Sequence, residues 1–122
     1  MKLIIVGGPS VGKTTYIRLL NDDFKPFQLG KFTVYEEMMY YEGYEMAMYE
    51  GAKCAILMTT PDNYMEENYK EKIRQHCGDI PIITVVNKID QKEIKEKDDN
   101  KVYISCKEKI NIYQPFEKLL QL

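Results

Sequence analysis

The sequence predicts an α/β domain built on a mostly parallel sheet, and three observations carry the prediction. Short apolar runs alternate with helix-like stretches along the chain. The first run enters a glycine-rich loop that a helix-competent stretch leaves, giving strand, loop and helix in that order. The length of 122 residues suits one core, with no repeat, low-complexity tract or linker, so residues 1–122 read as a single domain.

The runs are Lys2–Val6, Lys31–Tyr35, Lys53–Met58, Pro81–Val86 and Val102–Ser105, each rich in Ile, Val, Phe or Tyr and close to Gly, Pro or Asn. Helix-like stretches lie between them at Thr14–Asp22, about Tyr41–Glu50, Asp62–Cys77 and Ile112–Gln121, with Asp62 in the N-cap region of the third. Gln91–Lys101 interleaves Glu and Lys and reads as a charged loop with at most a turn or two of helix.

Apolar residues make up 44% and charged residues 30%, ordinary values for a globular protein. A formal net charge of −2 gives no general attraction to nucleic acid or to an anionic membrane. No apolar run reaches membrane-span length. Leu3–Val6 runs straight into the glycine loop, unlike a signal peptide, and Met1-Lys2 and the C-terminal Leu119–Leu122 carry no lipidation signal. The three cysteines, Cys54, Cys77 and Cys106, are odd in number and widely spaced, as free thiols in a reducing compartment would be. The expected location is therefore intracellular, cytoplasmic or nuclear. The single histidine, His76, has no metal-ligand spacing around it and reads as a solvated residue near a helix end.

The strongest local signal is Gly7-Gly8-Pro9-Ser10-Val11-Gly12-Lys13-Thr14, which fits the P-loop pattern of Gly, four residues, then Gly-Lys-Thr. Glycines let backbone N–H groups from Gly7 to Gly12, Ser10 and Val11 included, turn toward phosphate oxygens. The helix that follows contributes its N-terminal partial charge, with Thr15 in its first turn. Lys13 can reach β- and γ-phosphates, and the Thr14 hydroxyl can ligate Mg²⁺, which makes this pair the candidate catalytic residues.

After the strand Ile82–Val86 comes Asn87-Lys88-Ile89-Asp90, which resembles the NKxD signature of GTP-binding proteins. The resemblance implies that Asp90 accepts hydrogen bonds from guanine, that Lys88 lays its stem along the base and that Asn87 ties the loops together. Adenine lacks the donor pair that a carboxylate at Asp90 would need, so discrimination would be strong. Ser105-Cys106-Lys107 resembles the SAK motif, whose backbone N–H reaches the guanine oxygen. The three motifs in this order resemble the Ras superfamily of small GTPases. Within it the Ran family is most similar: Lys31–Glu36 resembles its KFNVWD strand and Lys53–Met58 its QCAIIM strand. The likeness covers nearly the whole chain. It implies a P-loop NTPase three-layer sandwich, GTP or GDP with Mg²⁺ as cofactors, and Ran-type regulators or transport factors as partners.

The departures are as informative. Only Phe24–Gly30 separates the first helix from Lys31, and seven residues reach about 25 Å at most. Switch I and its antiparallel strand therefore read as deleted, leaving five parallel strands in the order 2-1-3-4-5 with helices on both faces. An uncovered edge at Lys31–Tyr35 would then allow dimerisation. In place of the family's DxxGQ stands Glu36-Glu37-Met38-Met39-Tyr40. Glu36 occupies the position of the Mg²⁺-linked acid, and Tyr40 that of the glutamine orienting the attacking water. Arg18 and Arg74, the only arginines, fall on helices away from the site.

The resemblance with these losses implies nucleotide binding with slow or absent hydrolysis and weak discrimination between GDP and GTP. Two other readings stay open: a working GTPase switch with unusual loops, and a small P-loop nucleotide kinase, which would need an arginine-bearing lid. Tyr35–Glu50, with five tyrosines, four methionines and five glutamates, is either a core helix stripe or an acidic partner-binding face.

Overall fold

The computed structural model describes residues 1–21, 27–36, 49–88, 98 and 100–121. Its centre is β1 (Lys2–Gly7), where Leu3, Ile4, Ile5 and Val6 are all fully buried. β4 (Cys54–Thr59) is buried along its whole length, and β5 (Ile82–Val86) along all but its first residue. Such continuous apolar runs belong to strands covered on both faces, which is why they alternate so little. β1 pairs in parallel with β3 (Phe32–Glu36) on one side and β4 on the other; β5 and β6 (Lys101–Tyr103) continue the parallel array.

The sheet has six strands, not the expected five, in the order β2-β3-β1-β4-β5-β6. The addition is β2 (Phe27–Leu29), antiparallel to β3, with Leu29 opposite Phe32 across the turn Gly30-Lys31. Gly30 takes φ +58°, a conformation that glycine enters without a Cβ clash and that tight hairpins need. Phe27 and Leu29 pack toward the core while Gln28 faces out and accepts a hydrogen bond from the Thr33 hydroxyl at 3.0 Å. The connection thus does return as an antiparallel strand, in three residues. The edge of β3 at Lys31–Tyr35 is not uncovered, because β2 lies along it.

Side chains alternate across β1, so Leu3 and Ile5 enter one core and Ile4 and Val6 the other. The first core is closed by Tyr16 and Ile17 of α1 (Lys13–Leu20) and by Phe116 and Leu119 of α3 (Gln114–Leu120). The second is closed by Tyr69 and Ile73 of α2 (Glu66–Cys77), with Tyr49 and Ala52. Helices therefore flank both faces of a six-stranded, mostly parallel α/β sheet.

Most element boundaries shift by a residue or two from expectation, and three shifts have a visible cause. α2 starts at Glu66 rather than Asp62, because Asp62 accepts a hydrogen bond from the Thr60 hydroxyl and the Asn63 amide bonds the Thr60 carbonyl, making a separate turn. Glu66 and Glu67 in its first turn and Arg74 and His76 in its last match the helix dipole. β6 stops at Tyr103, and Ser105 instead forms an isolated antiparallel bridge with Ile110. α3 starts at Gln114, with Pro115 in its first turn, where proline's missing N–H costs nothing. The stretch about Tyr41–Glu50 lies outside the described residues except for Tyr49, which is buried, and exposed Glu50; Tyr35 is half-buried against the same core. Gln91–Lys101 likewise lies outside apart from residues 98, 100 and 101. His76 is exposed and stacks on Tyr49, with centroids 5.0 Å apart. The three cysteines are free, and burial pushes the Cys54 and Cys77 thiols up from their ordinary range. Among the described residues no helix is long and apolar enough to cross a membrane.

One buried bond joins the two ends of the chain. The Tyr16 hydroxyl donates to the Ile112 carbonyl at 2.6 Å, and burial raises its pKa, so it stays a donor over the ordinary pH range. Tyr16→Phe should cost about 0.5–1.5 kcal/mol in urea unfolding, the net worth of an ordinary hydrogen bond to a partly buried carbonyl. Because the folded pKa lies above the unfolded one, this contribution is full below about pH 10 and declines as pH rises further. The gap between wild type and Tyr16→Phe should narrow in alkaline buffer; a constant gap would show that the hydroxyl does not titrate with unfolding.

Candidate functional site

Because β1, β4, β5 and β6 run parallel, the loops leaving their C-terminal ends gather at one edge of the sheet. All but one of the sequence-selected residues with described positions lie at the end of β1, on these loops or on the first turn of α1. Gly7 ends β1, Ser10 and Val11 form the loop, Gly12 caps α1, and Lys13, Thr14 and Thr15 make its first turn. Asn87 and Lys88 follow β5, and Ser105, Cys106 and Lys107 follow β6. The exception, Glu36, ends β3 in register with Ile5, on the same edge. Asp90 and the segment Glu37–Tyr40 lie outside the described residues.

Each outer glycine of the loop has its own reason. A Cβ on Gly7 would lie 2.8 Å from the Met58 carbonyl oxygen of the neighbouring strand. Gly12 combines φ +92° with direct contact against the Asn87 side chain, leaving no room for a Cβ. Val11 between them is fully buried and anchors the loop to the core, while Ser10 is exposed at φ +66°. The Lys13 ammonium folds back over the loop to the Gly7 carbonyl, 3.5 Å away. Thr14 and Thr15 are exposed at the start of α1.

Asn87 joins the loops. Its side chain, 2% exposed, donates through Nδ2 to the Val11 carbonyl at 2.9 Å and accepts through Oδ1 from the Cys106 amide at 3.1 Å. Only a primary amide offers a donor and an acceptor in this fork, and both of its directions are used. Lys88, at φ +66°, sends its ammonium to the Ser10 carbonyl at 2.5 Å. The Ser105 hydroxyl, fully buried, accepts from the Glu108 amide at 3.1 Å and tightens the turn that presents exposed Lys107. Lys13 and Lys88 thus bring two ammonium groups to the glycine loop at one helix N-terminus, an arrangement suited to an anion, with exposed Lys107 on the loop that Asn87 ties to it. Arg18 and Arg74 sit in the last turns of α1 and α2.

Sequence reasoning missed the loop between β4 and α2. The Thr59 hydroxyl donates to the Tyr64 carbonyl at 3.0 Å, and Lys101 bridges Asn63 at 3.1 Å and Glu66 at 2.7 Å. This holds Tyr64 and Met65 beside Gly8. No spacing motif marks those residues; the signal lies in their packing. Among the described residues no group of three or more His, Cys, Asp or Glu converges as a metal cluster. No protein-family model matches the chain.

Asn87→Ala should lower stability by about 2–4 kcal/mol, because a buried carbonyl and a buried amide both lose their partner. Denaturant titration of the two proteins checks this. A loss under about 1 kcal/mol would mean that water replaces the amide at both atoms.

Proposed function

We propose that this chain is a minimal P-loop nucleotide-binding domain similar to the Ras-superfamily GTPases, which binds GTP or GDP and hydrolyses it slowly or not at all. The observation that carries the reading is the Asn87 bridge: one side chain links the glycine loop to the Ser105-Cys106-Lys107 loop, with Lys88 reaching Ser10 beside it. A ligand touching both loops would carry phosphate at one end and a flat base at the other, which is the shape of a nucleotide.

In this reading the backbone N–H groups of the loop residues other than Pro9, up to Thr15, and the Lys13 ammonium hold the phosphates. The Thr14 hydroxyl, exposed at the first turn of α1, suits one oxygen position of a hard cation. Mg²⁺ bound there would neutralise phosphate charge, and Glu36, on the same sheet edge, would orient one of its waters. The Cys106 amide, expected to be available to guanine, donates to Asn87 instead, so in this reading Lys88 flanks the base and Asp90 selects guanine. Slow hydrolysis follows from Met39 and Tyr40, which offer neither a glycine N–H nor a water-orienting amide. Regulators or transport factors of Ran type would meet the acidic Tyr35–Glu50 segment.

Titration with fluorescent GDP, a GTP analogue and ATP, with and without Mg²⁺, tests the proposal in wild type and Asp90→Ala. Expected are guanine-selective binding, loss of that selectivity in Asp90→Ala, and GDP and GTP-analogue affinities within about threefold, a difference of roughly 0.7 kcal/mol. A much larger GDP to GTP difference would favour a working switch, and wild-type protein that binds no guanine nucleotide would sink the proposal.

A further inference from the structure

The P-loop pattern requires glycine at its first and sixth positions, which Gly7 and Gly12 fill. It does not require Gly8. Nor does backbone conformation: the positive-φ glycines among the described residues are Gly12, Gly30, Gly51 and Gly78. What Gly8 meets is the β4–α2 loop. A Cβ there would lie 2.9 Å from the Met65 sulfur, 3.1 Å from Cε1 of the Tyr64 ring and 3.4 Å from the Met65 Cβ. Two side chains thus rest directly on the backbone of the second residue of the phosphate loop.

The loop that supplies them is itself held in an unusual shape. Asn63 and Met65 flank Tyr64 at φ +60° and +57°. Asparagine enters this region readily, whereas an unbranched apolar residue such as Met65 does so rarely. Strain of this kind persists only where the surroundings over-determine it. Here the restraints are the Thr59 hydroxyl on the Tyr64 carbonyl at 3.0 Å and Lys101 on Asn63 and Glu66. Tyr64 is nevertheless 44% exposed, so its own burial does not account for its placement.

We infer that Tyr64 and Met65 are positioning residues of the phosphate loop: they pack against Gly8, as the Asn87 side chain packs against Gly12, and fix its amide for a nucleoside diphosphate. This inference rests on the nucleotide reading and deepens it. The loop is then clamped at two points, by Asn87 at its C-terminal end and by Tyr64 and Met65 at its N-terminal end. A small displacement of a binding backbone costs much, because its donors no longer converge on the same oxygens.

The test uses the full chain, with GDP and GMP as ligands, in wild type, Gly8→Ala, Met65→Ala and the double variant. Gly8→Ala should weaken GDP binding roughly tenfold by forcing the loop away from Met65, while GMP, which lacks the β-phosphate, changes by less than about twofold. Met65→Ala alone should weaken GDP binding several-fold with GMP unchanged, because the loop loses its support, and adding it to Gly8→Ala should relieve part of the loss that the Cβ clash causes, a coupling between the two sites. Thermal melts without ligand show that each variant folds. Gly8→Ala with unchanged GDP affinity, equal losses for GDP and GMP, or a loss that Met65→Ala does not relieve would each overturn the positioning role and leave the nucleotide reading intact. Wild-type protein binding neither GDP nor GMP would overturn both.

Discussion

Asn87 joins the glycine loop to the loop after β6 through two buried hydrogen bonds, and its amide is the piece on which the site's geometry depends. Parallel strands bring their C-terminal ends to one edge but leave the loops beyond them free to choose their spacing. The amide sets that spacing, because one atom must donate to Val11 while the other accepts from Cys106. Both atoms are shielded from water, so neither bond can be exchanged cheaply for a hydrated state. The requirement propagates to Gly12, which must be a glycine both for its φ and because the Asn87 side chain occupies the space of a Cβ. It also places Lys88, the next residue, where its ammonium reaches Ser10.

What the sequence made legible follows from how each feature is encoded. β1, β4 and β5 are continuous apolar runs, and a strand buried on both faces can hardly look otherwise. The glycine loop after β1 is legible because its outer glycines are set by strand contact and backbone angle, which spacing records. β2 was not: Phe-Gln-Leu is too short to establish a period of two, and its pairing comes from the Gly30-Lys31 turn. The start of α2 was misread because Asp62 looks like a cap, yet its carboxylate bonds back to Thr60. Tyr64 and Met65 carry no signature at all. Their relation to Gly8 is a tertiary contact between loops more than fifty residues apart in sequence, and only coordinates reveal it. The base-selecting role of Asp90 and the altered segment Glu37–Tyr40 rest on sequence alone, because those residues lie outside the described part of the chain.

The distribution of backbone strain supports the choice of this edge as the functional one. Among the described residues the non-glycine positions with positive φ are Ser10, Asn63, Met65, Lys88, Lys109 and Asn111. Every one lies on a loop that follows β1, β4, β5 or β6. At the opposite edge, positive φ occurs at Gly30, Gly51 and Gly78, where the residue type removes the penalty. If stability alone had shaped both edges, glycine would have served equally at each. Side chains are instead kept at angles that cost of order 1 kcal/mol or more apiece, and four of the six are not asparagine, the residue that tolerates the region best.

Those side chains have work that glycine could not do. Lys88 crosses to Ser10, Asn63 receives Lys101, Asn111 donates to the Tyr103 carbonyl at 3.1 Å, and Met65 presses on Gly8. Lys88 and Met65 fix one loop to another, and Asn63 and Asn111 fix their loops to residues of β6. A sheet with two well-filled cores can offset that local cost, since burying a single leucine or isoleucine contributes about 1.5–3 kcal/mol. The fold therefore separates its two tasks by direction along the strands. The middle of the sheet supplies stability, and the C-terminal edge uses part of it to hold its loops at a fixed spacing. Preorganisation of that kind would lower the ordering cost of binding at this edge, which is what the proposed nucleotide site requires.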